Sequence, residues 1–197
     1  MDDIQFTTHL HASDAPEVVE APAVRYVSVR GTGAPGSNDF YRKKRLIAAL
    51  ARHVSEEEVE PAVELQYWYP EGSATVGIAD FYSKNPLSSL QYRVMASIER
   101  DLTSAELAEE ISGFDHEDMR SGDMIESYST PAHLVVQVMH HGPFAEELQT
   151  LGRLDDFARS QALSPNGPHL EIHLDAFEPG TDQSALRTIL RDGVSRN

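Results

Sequence analysis

The sequence predicts an α+β fold of two strand-helix-strand-strand units that share one core. Three observations predict it: the order of the predicted elements, a spacing of valines and glycine that recurs in both halves, and a hydrophobic content of 40% in 197 residues. That length suits one sizeable core. Because one unit alone would leave an apolar face uncovered, we expect the units to pair about a pseudo-two-fold axis, with an antiparallel sheet and a central ligand cleft.

The first half begins with a strand. Residues 24–33 alternate valines with polar neighbours and stop at a glycine cluster, as a half-buried strand does. A helix follows, with Ser37 or Asn38 as its N-cap and apolar residues at helical spacing. Two further strands, rich in β-forming residues and separated by glycines and prolines, complete the unit at residues 62–72 and 88–99.

The second half repeats this order. Two valines and a glycine stand at one mutual spacing in both halves: Val136, Val138 and Gly142 against Val27, Val29 and Gly33. A helix over residues 144–163 carries an apolar stripe. Strands at residues 168–175 and 184–194 then complete the second unit.

We divide the chain into a leader (residues 1–22), a first half (about 23–100), a linker (about 101–131) and a second half (about 132–194). The leader shows no sustained period, so we expect it to be loosely ordered. In the linker, Thr103 and Glu106 stand at capping-box spacing, which predicts a short helix. Residues 123–130 add a strand candidate.

Composition narrows the possible partners and location. The formal net charge of −16 would repel the phosphate backbone and anionic lipids, so we expect no direct nucleic-acid partner and no membrane. The absence of cysteine is compatible with a reducing compartment, and the start of the chain does not resemble a signal peptide. We therefore expect a soluble cytoplasmic protein; its oligomeric state stays open, with a monomer favoured.

The stretch PHLEIHLD places four ionisable residues on one side of a predicted strand: His169, Glu171, His173 and Asp175. Glu171 is the candidate catalytic or anchoring residue. Its carboxylate either lies on a solvated sheet face or lines a cavity where desolvation fits it for proton chemistry or for binding a cation. His173 is a candidate ligand contact or a structural histidine. We expect His169 and Asp175, near the strand ends, to be solvated or hydrogen-bonded at the rim.

We expect no metal and no other cofactor. His169 and His173 are four residues apart on a strand, roughly 13 Å at about 3.3 Å per residue, so they cannot ligate one ion together. The glycines between residues 31 and 36 lack the lysine and hydroxyl residue of a P-loop. A turn accounts for these glycines.

An aromatic triplet, Tyr67, Trp68 and Tyr69, supplies further candidates. Alternation directs Trp68 to one face of the strand and both tyrosines to the other. One face provides a surface for stacking on an aromatic ligand, or Trp68 belongs to the core. Tyr82 and Tyr92 either extend such a wall or are ordinary strand residues.

Five segments in order resemble the GyrI-like small-molecule-binding proteins: YVSVRGTGAPG, VELQYWY, VQVMHHGPFAEE, HLEIHLD and LRTILRDGV. These proteins are stand-alone relatives of the effector domains of bacterial multidrug-responsive regulators. The resemblance implies an SHS2-type fold over about residues 23–197 and an acidic residue in a cleft that faces cationic or polarised aromatic ligands. One branch is similar to the cyclopropanoid cyclopropyl hydrolases, which detoxify DNA-alkylating natural products by opening a strained ring.

Matched to the family's motifs, Glu171 corresponds to the glutamate of the strand H-H-E-I-Y-L. Glu64 and Trp68 correspond to the glutamate and the second tryptophan of L-E-G-L-W-W. Two departures bear on chemistry: Tyr67 replaces the first tryptophan, and His173 replaces the tyrosine of the glutamate strand. The loss of that tyrosine puts in doubt a mechanism that needs a phenol at position 173.

The resulting hypothesis is a protein that binds a hydrophobic, aromatic and possibly cationic small molecule in drug or toxin sensing or resistance. Glu171 would be its anchor, with Glu64, Tyr67, Trp68, His173 and Tyr92 as ligand-binding candidates. The alternative is a hydrolase in which Glu171 acts as general base in opening a strained ring. A transcriptional effector would require a separate DNA-binding partner.

Overall fold

A single mixed sheet runs through the computed structural model, which describes residues 5–55 and 60–196. In these ranges the chain forms nine strands and three α-helices. The strands are β1 (Gln5–Phe6), β2 (Glu17–Ala21), β3 (Val24–Thr32), β4 (Val63–Trp68), β5 (Gln91–Ile98), β6 (Ile125–Thr130), β7 (His133–His141), β8 (Leu163–His173) and β9 (Arg187–Arg196). The helices are α1 (Asn38–Ser55), α2 (Ser104–Gly113) and α3 (Glu147–Ser160).

The strand order confirms the predicted duplication. The sheet runs β1-β2-β7-β9-β8-β4-β5-β3-β6, and every neighbouring pair is antiparallel except β1 with β2. The units β3-α1-β4-β5 and β7-α3-β8-β9 therefore occupy mirrored positions and meet where β4 pairs with β8. Each flanking strand pairs with the half that it does not directly precede in the chain. Strand β2, which precedes the first half, pairs with β7, and β6, which precedes the second half, pairs with β3.

The two long helices cover one face of this sheet. Ser37 Oγ accepts a hydrogen bond from the Phe40 backbone N–H at 3.2 Å, so Ser37 caps α1 as predicted. The apolar stripe of α1 packs on the first half of the sheet, and that of α3 packs on the second half. A short 3-10 turn over Phe144–Glu146 precedes α3, so this α-helix begins three residues later than the sequence pattern predicts.

The linker contains both predicted elements. Thr103 accepts a hydrogen bond from the Glu106 backbone N–H, and the Glu106 carboxylate accepts one from the Thr103 backbone N–H. This capping box starts α2, which confirms the predicted short helix. The predicted strand at residues 123–130 is β6. None of the helices in the described part of the chain is long and apolar enough to cross a membrane.

The leader is more ordered than its composition predicts. Glu17–Ala21 form β2 along the edge of β7, with Val19 and Ala21 buried. Ala12 packs on Ile172 on the face of the sheet away from the helices. This order comes from hydrogen bonding to the free edge of β7. The sequence of the short segment, which has no amphipathic period of its own, does not predict it. Residues 1–4 of the predicted leader lie outside the described residues.

Strand β8 is longer than predicted. It begins at Leu163, and its register with β9 shifts between Pro165 and His169. Proline has no backbone N–H to donate, and it is tolerated at such an irregular position because the strand pairing there is interrupted. The strand ends at His173, so Asp175 lies just beyond it and pairs with Arg187 at 2.8 Å at the surface.

Candidate functional site

A cleft of about 460 Å³ lies on the helix-covered face of the sheet, where the two halves meet. Strands β4 and β8 form its floor, and residues of α1 and α3 form its sides. Its polar groups are Glu147, Glu171 and His173. Its apolar and aromatic lining includes Phe40, Tyr41, Leu65, Tyr67, Tyr82, Leu87, Phe144, Leu148 and Phe177.

Glu171 lies in the floor of the cleft, directly opposite Leu65 of β4, and is 5% exposed. The Tyr82 hydroxyl donates a hydrogen bond to its Oε1, and His173 Nε2 lies 3.2 Å from its Oε2. Burial alone would raise the pKa of Glu171, but these hydrogen bonds and the nearby histidines hold that pKa below its ordinary value. Glu171 is therefore a preorganised anion.

His169 lies beside Glu171 on the same face of β8, with its ring packed against Phe81 and Tyr82. Its Nδ1 lies 3.0 Å from Asp192 Oδ2, and its Nε2 lies 3.8 Å from Glu171 Oε1. Burial opposes the protonation of His169, but the charges of Asp192 and Glu171 raise its pKa above the ordinary value. The prediction that His169 lies at the rim is wrong. The bulged start of β8 extends the strand past this residue, which places it in the buried middle of the sheet.

His173 contributes a neutral donor. Its ring is buried against Phe144 and Phe177, with ring centroids 5.4 and 4.9 Å away. This burial lowers the pKa of His173 despite the neighbouring Glu171 carboxylate. At neutral pH, His173 therefore stabilises Glu171 through a hydrogen bond from Nε2 rather than through a positive charge.

Glu147 is the second carboxyl group of the cleft and was not among the predicted site residues. It lies in the first turn of α3 and is 6% exposed, and its Oε1 is buried without a hydrogen-bond partner. Burial and the charge of Glu171 raise the pKa of Glu147 to about 10. The available signal was its position three residues after Phe144 and four before Leu151, on the apolar stripe of the helix.

Of the aromatic candidates, Tyr67 lies at the surface of the cleft and Tyr92 lies in the core behind it. Tyr67 lines the cleft, and its ring meets that of Tyr82 edge-on at 6.0 Å. Tyr92 is fully buried behind Tyr67, against Phe40, and does not line the cleft. Its ring fills the space that Gly31 leaves on β3, where an added Cβ would come within 2.2 Å of it. Tyr92 thus supports the wall of the cleft from behind.

Glu64 and Trp68 lie on the opposite face of the sheet, so the expectation that they line the cleft is not met. Both alternate with Leu65 and Tyr67 along β4. Trp68 is half-buried there and donates its Nε1 hydrogen to Gln91. The two family motifs that contain Glu64 and Glu171 therefore lie on adjacent central strands, but their glutamates point to opposite faces of the sheet.

Glu64 belongs to a closed polar cluster that fixes the leader on the back of the sheet. Its carboxylate lies 2.6 Å from His9 Nε2 and accepts a hydrogen bond from the Tyr26 hydroxyl at 3.1 Å. Buried Arg191 donates to the His9 carbonyl at 2.9 Å and to Gln137 at 2.8 Å. This arrangement connects the leader to both halves.

The family model of the GyrI-like small molecule binding domain matches residues 14–190, which include both halves and the cleft. The chain belongs to the GyrI-like family. A small-molecule ligand is accordingly the partner that this family membership supports. Comparison with curated proteins gives no match.

Solved structures share the GyrI-like fold at low sequence identity. An uncharacterized conserved protein from Listeria innocua is 20% identical, with 93% of each chain covered and a TM-score of 0.71. A hydrolase from Listeria innocua is 18% identical, with 94% of each chain covered and a TM-score of 0.69. The EcmrR C-terminal domain is 13% identical, with 92% of this chain and 98% of that domain covered and a TM-score of 0.58. These likenesses show the fold alone.

In this GyrI-like cleft, the chemistry rests on carboxyl, phenol and imidazole groups. Within residues 5–55 and 60–196, no group of three or more His, Asp or Glu side chains is arranged to hold a metal ion. The arrangement can hold a cation against Glu171, stack aromatic rings, and exchange protons at two carboxyl groups that carry different charges.

Proposed function

We propose that the cleft binds a hydrophobic, aromatic and cationic small molecule, with Glu171 as the anionic anchor, in drug or toxin sensing or resistance. The observation that carries this proposal is a buried carboxylate that opens onto an aromatic cavity. Its contacts at hydrogen-bond distance are the Tyr82 hydroxyl and the neutral His173 ring. His169, whose protonated form is favoured, lies 3.8 Å from Glu171, beyond hydrogen-bond distance. A cationic ligand in direct contact with the buried carboxylate therefore gains by completing the pair.

The walls of the cleft suit the rest of such a ligand. Tyr67, Tyr82, Phe144 and Phe177 offer flat aromatic surfaces, and aromatic faces attract both rings and cations. The volume of about 460 Å³ lies within the range typical of small-molecule sites. The absence of cysteine and the net charge of −16 support a cytoplasmic protein that contacts no nucleic acid directly.

A fluorescence titration with 10-methylacridinium, a permanently charged aromatic cation, tests this proposal. Acridine serves as the uncharged analogue above neutral pH. We expect the wild type to prefer the cation and Glu171→Gln to bind it about 10- to 100-fold more weakly, with little change for acridine. Glu146→Gln, which removes a charge from an exposed neighbour of the cleft, is the matched control. Equal cation affinity in wild type and Glu171→Gln would contradict the anchor.

A second function, hydrolysis of a strained electrophile, is favoured by a specific observation. The Tyr82 phenol contacts the Glu171 carboxylate and so places a phenol at the site although position 173 carries histidine. In this reaction Glu171 would accept a proton from a water molecule whose oxygen attacks a cyclopropane carbon. The electron pair of the broken ring bond would pass into the conjugated carbonyl of the substrate, which then takes up a proton.

Mass spectrometry distinguishes the two functions. Wild type and Glu171→Gln are incubated with cyclopropane-bearing alkylating compounds and with 10-methylacridinium. A product that gains one water with wild type, and is lost in Glu171→Gln, would establish turnover. Tight binding without any such product would leave binding as the function and exclude hydrolysis of the compounds tested.

A further inference from the structure

Glu147 is a buried carboxyl group whose surroundings inside the cleft are incomplete. It is 94% buried, and its Oε1 has no hydrogen-bond partner although it lies in the lining of the cavity. Buried carboxyl oxygens are ordinarily paired, since an unsatisfied one costs about 1–3 kcal/mol. An unpartnered oxygen at this place indicates that the cleft supplies its partner when it is filled.

Two carboxyl groups that share one apolar cavity do not both ionise, because the second charge would be repelled by the first. Tyr82 and His173 donate to Glu171, and His169 lies 3.8 Å from it. Among the described residues, no comparable group favours the charged form of Glu147. The negative charge therefore resides on Glu171 and the proton on Glu147.

We propose that Glu147 contacts the ligand and releases its proton when a cation enters, so that the cleft exchanges one proton for one cation. This inference rests on the proposed binding function. A cation beside both carboxyl groups favours the ionised form of Glu147. By linkage, a ligand that promotes loss of a proton binds more tightly as the pH rises, by up to about tenfold per pH unit for one proton.

Other titratable groups surround Glu147, and a proton released on binding could come only from those that are protonated and able to ionise. Tyr41 of α1, Tyr67 of β4 and Tyr82 line the cleft, and burial raises their pKa values, so they stay neutral. His173 of β8 is kept neutral by burial. His140 of β7 is engaged with Thr150 and the Pro143 carbonyl beside the start of α3.

Of the residues that the structure describes, two others offer a proton near Glu171: Lys44 of α1 and His169 of β8. Lys44 donates to the carbonyl of the cleft residue Phe177 at 3.0 Å, and burial lowers the pKa of Lys44 to about 7. His169 is separated from the cavity lining, and its protonated form is favoured by Asp192 and Glu171. A cation at Glu171 would weaken that preference. Replacing Glu147 separates these sources, because a proton from His169 or Lys44 would still be released in a Glu147 variant.

Calorimetry measures the exchange directly. Binding of 10-methylacridinium is followed at about pH 8 in two buffers of different ionisation enthalpy, for wild type, Glu147→Gln and the exposed control Glu146→Gln. We expect close to one proton released in wild type and in Glu146→Gln, and close to none in Glu147→Gln. Between about pH 8 and pH 9, above the Lys44 pKa of about 7, affinity should rise for wild type and stay nearly constant for Glu147→Gln.

The outcomes separate this inference from the proposed function. Cation binding without proton release in wild type, or release that persists in Glu147→Gln, overturns the role of Glu147 and leaves cation binding intact. No binding at any pH overturns both. Carbon-13 NMR of the side-chain carboxyl groups, with Glu147→Gln for assignment, checks the unliganded protein: a Glu147 signal that titrates in the ordinary carboxyl range also overturns the inference.

Discussion

Glu64 and Glu171 are both buried glutamates on adjacent central strands, yet they lie on opposite faces of the sheet and in opposite surroundings. Behind the sheet, Glu64 has His9 at 2.6 Å and the Tyr26 hydroxyl at 3.1 Å, within a cluster that includes Arg191. In front, Glu171 contacts Tyr82 and faces an open cavity. A hollow of about 270 Å³ on the back face is not lined by Glu64.

The difference teaches how a buried carboxylate in a structural role differs from one available to a ligand. The back face provides its own partners, in a cluster that ties the leader to both halves. The front face provides donors that keep Glu171 ionised. It also holds a second carboxyl group, Glu147, whose ionisation the charge of Glu171 disfavours. The front face leaves a buried carboxyl oxygen of Glu147 without a partner, whereas both carboxylate oxygens of Glu64 on the back face are paired.

Glu64→Gln should produce the largest loss of stability. Removing this charge takes the ionised partner from His9 and Tyr26 and the attraction of a nearby carboxylate from buried Arg191, which we expect to cost about 3 kcal/mol. Chemical denaturation measures the free energy of unfolding, with Glu146→Gln as the exposed control. A loss below about 0.5 kcal/mol would show that the back cluster is no more than a surface network.

Tyr82→Phe should produce a smaller loss, of about 1.5–2 kcal/mol at neutral pH, because it removes a hydrogen bond to a charged group. The lowered pKa of Glu171 adds stability above the ordinary carboxyl range, and this contribution is lost as the pH falls through the folded-state pKa. The difference between variant and wild type should therefore shrink in acid. Denaturation curves at several pH values test this, and a difference that grows in acid would contradict it.

Glu147→Gln should act in the opposite direction and stabilise the protein by about 1 kcal/mol at neutral pH, because the unpartnered buried amide of glutamine offsets part of the roughly 3 kcal/mol that the pKa shift implies. The raised pKa of Glu147 means that the unfolded chain loses this proton from about pH 4.5 upward, whereas the folded protein retains it to about pH 10. Folding is therefore penalised progressively as the pH rises through that window. We expect the gain to vanish in acid and to increase with pH. A destabilised variant at neutral pH would show that the front face bears no such cost.

Leu148→Ala should have the smallest effect on stability, below about 0.5 kcal/mol, because Leu148 is 51% exposed at the edge of the cleft. Its loss should still weaken binding of 10-methylacridinium by about two- to fivefold through lost apolar contact. Thermal unfolding and the fluorescence titration measure the two effects. Unchanged affinity would place the ligand away from this edge.

Most of the fold could be predicted from local patterns. Alternation located the central strands, and the Ser37 cap and the Thr103–Glu106 capping box marked helix starts, because these features depend on neighbouring residues. Strand β2 was missed since its order comes from the edge of β7, far away in sequence. The bulged start of β8 likewise depends on its pairing with β9.

The sequence by itself determined that Glu171 and His173 share one face of a strand and that Glu64 and Trp68 share another, because side chains alternate along a strand. Only the tertiary structure decided which face opens to a cleft, since that depends on where α1 and α3 pack. It also decided that Glu147 lies in the same cavity as Glu171, through contacts between two distant parts of the chain. Charge state followed from that packing, because burial and neighbours, not residue type, set a carboxyl pKa.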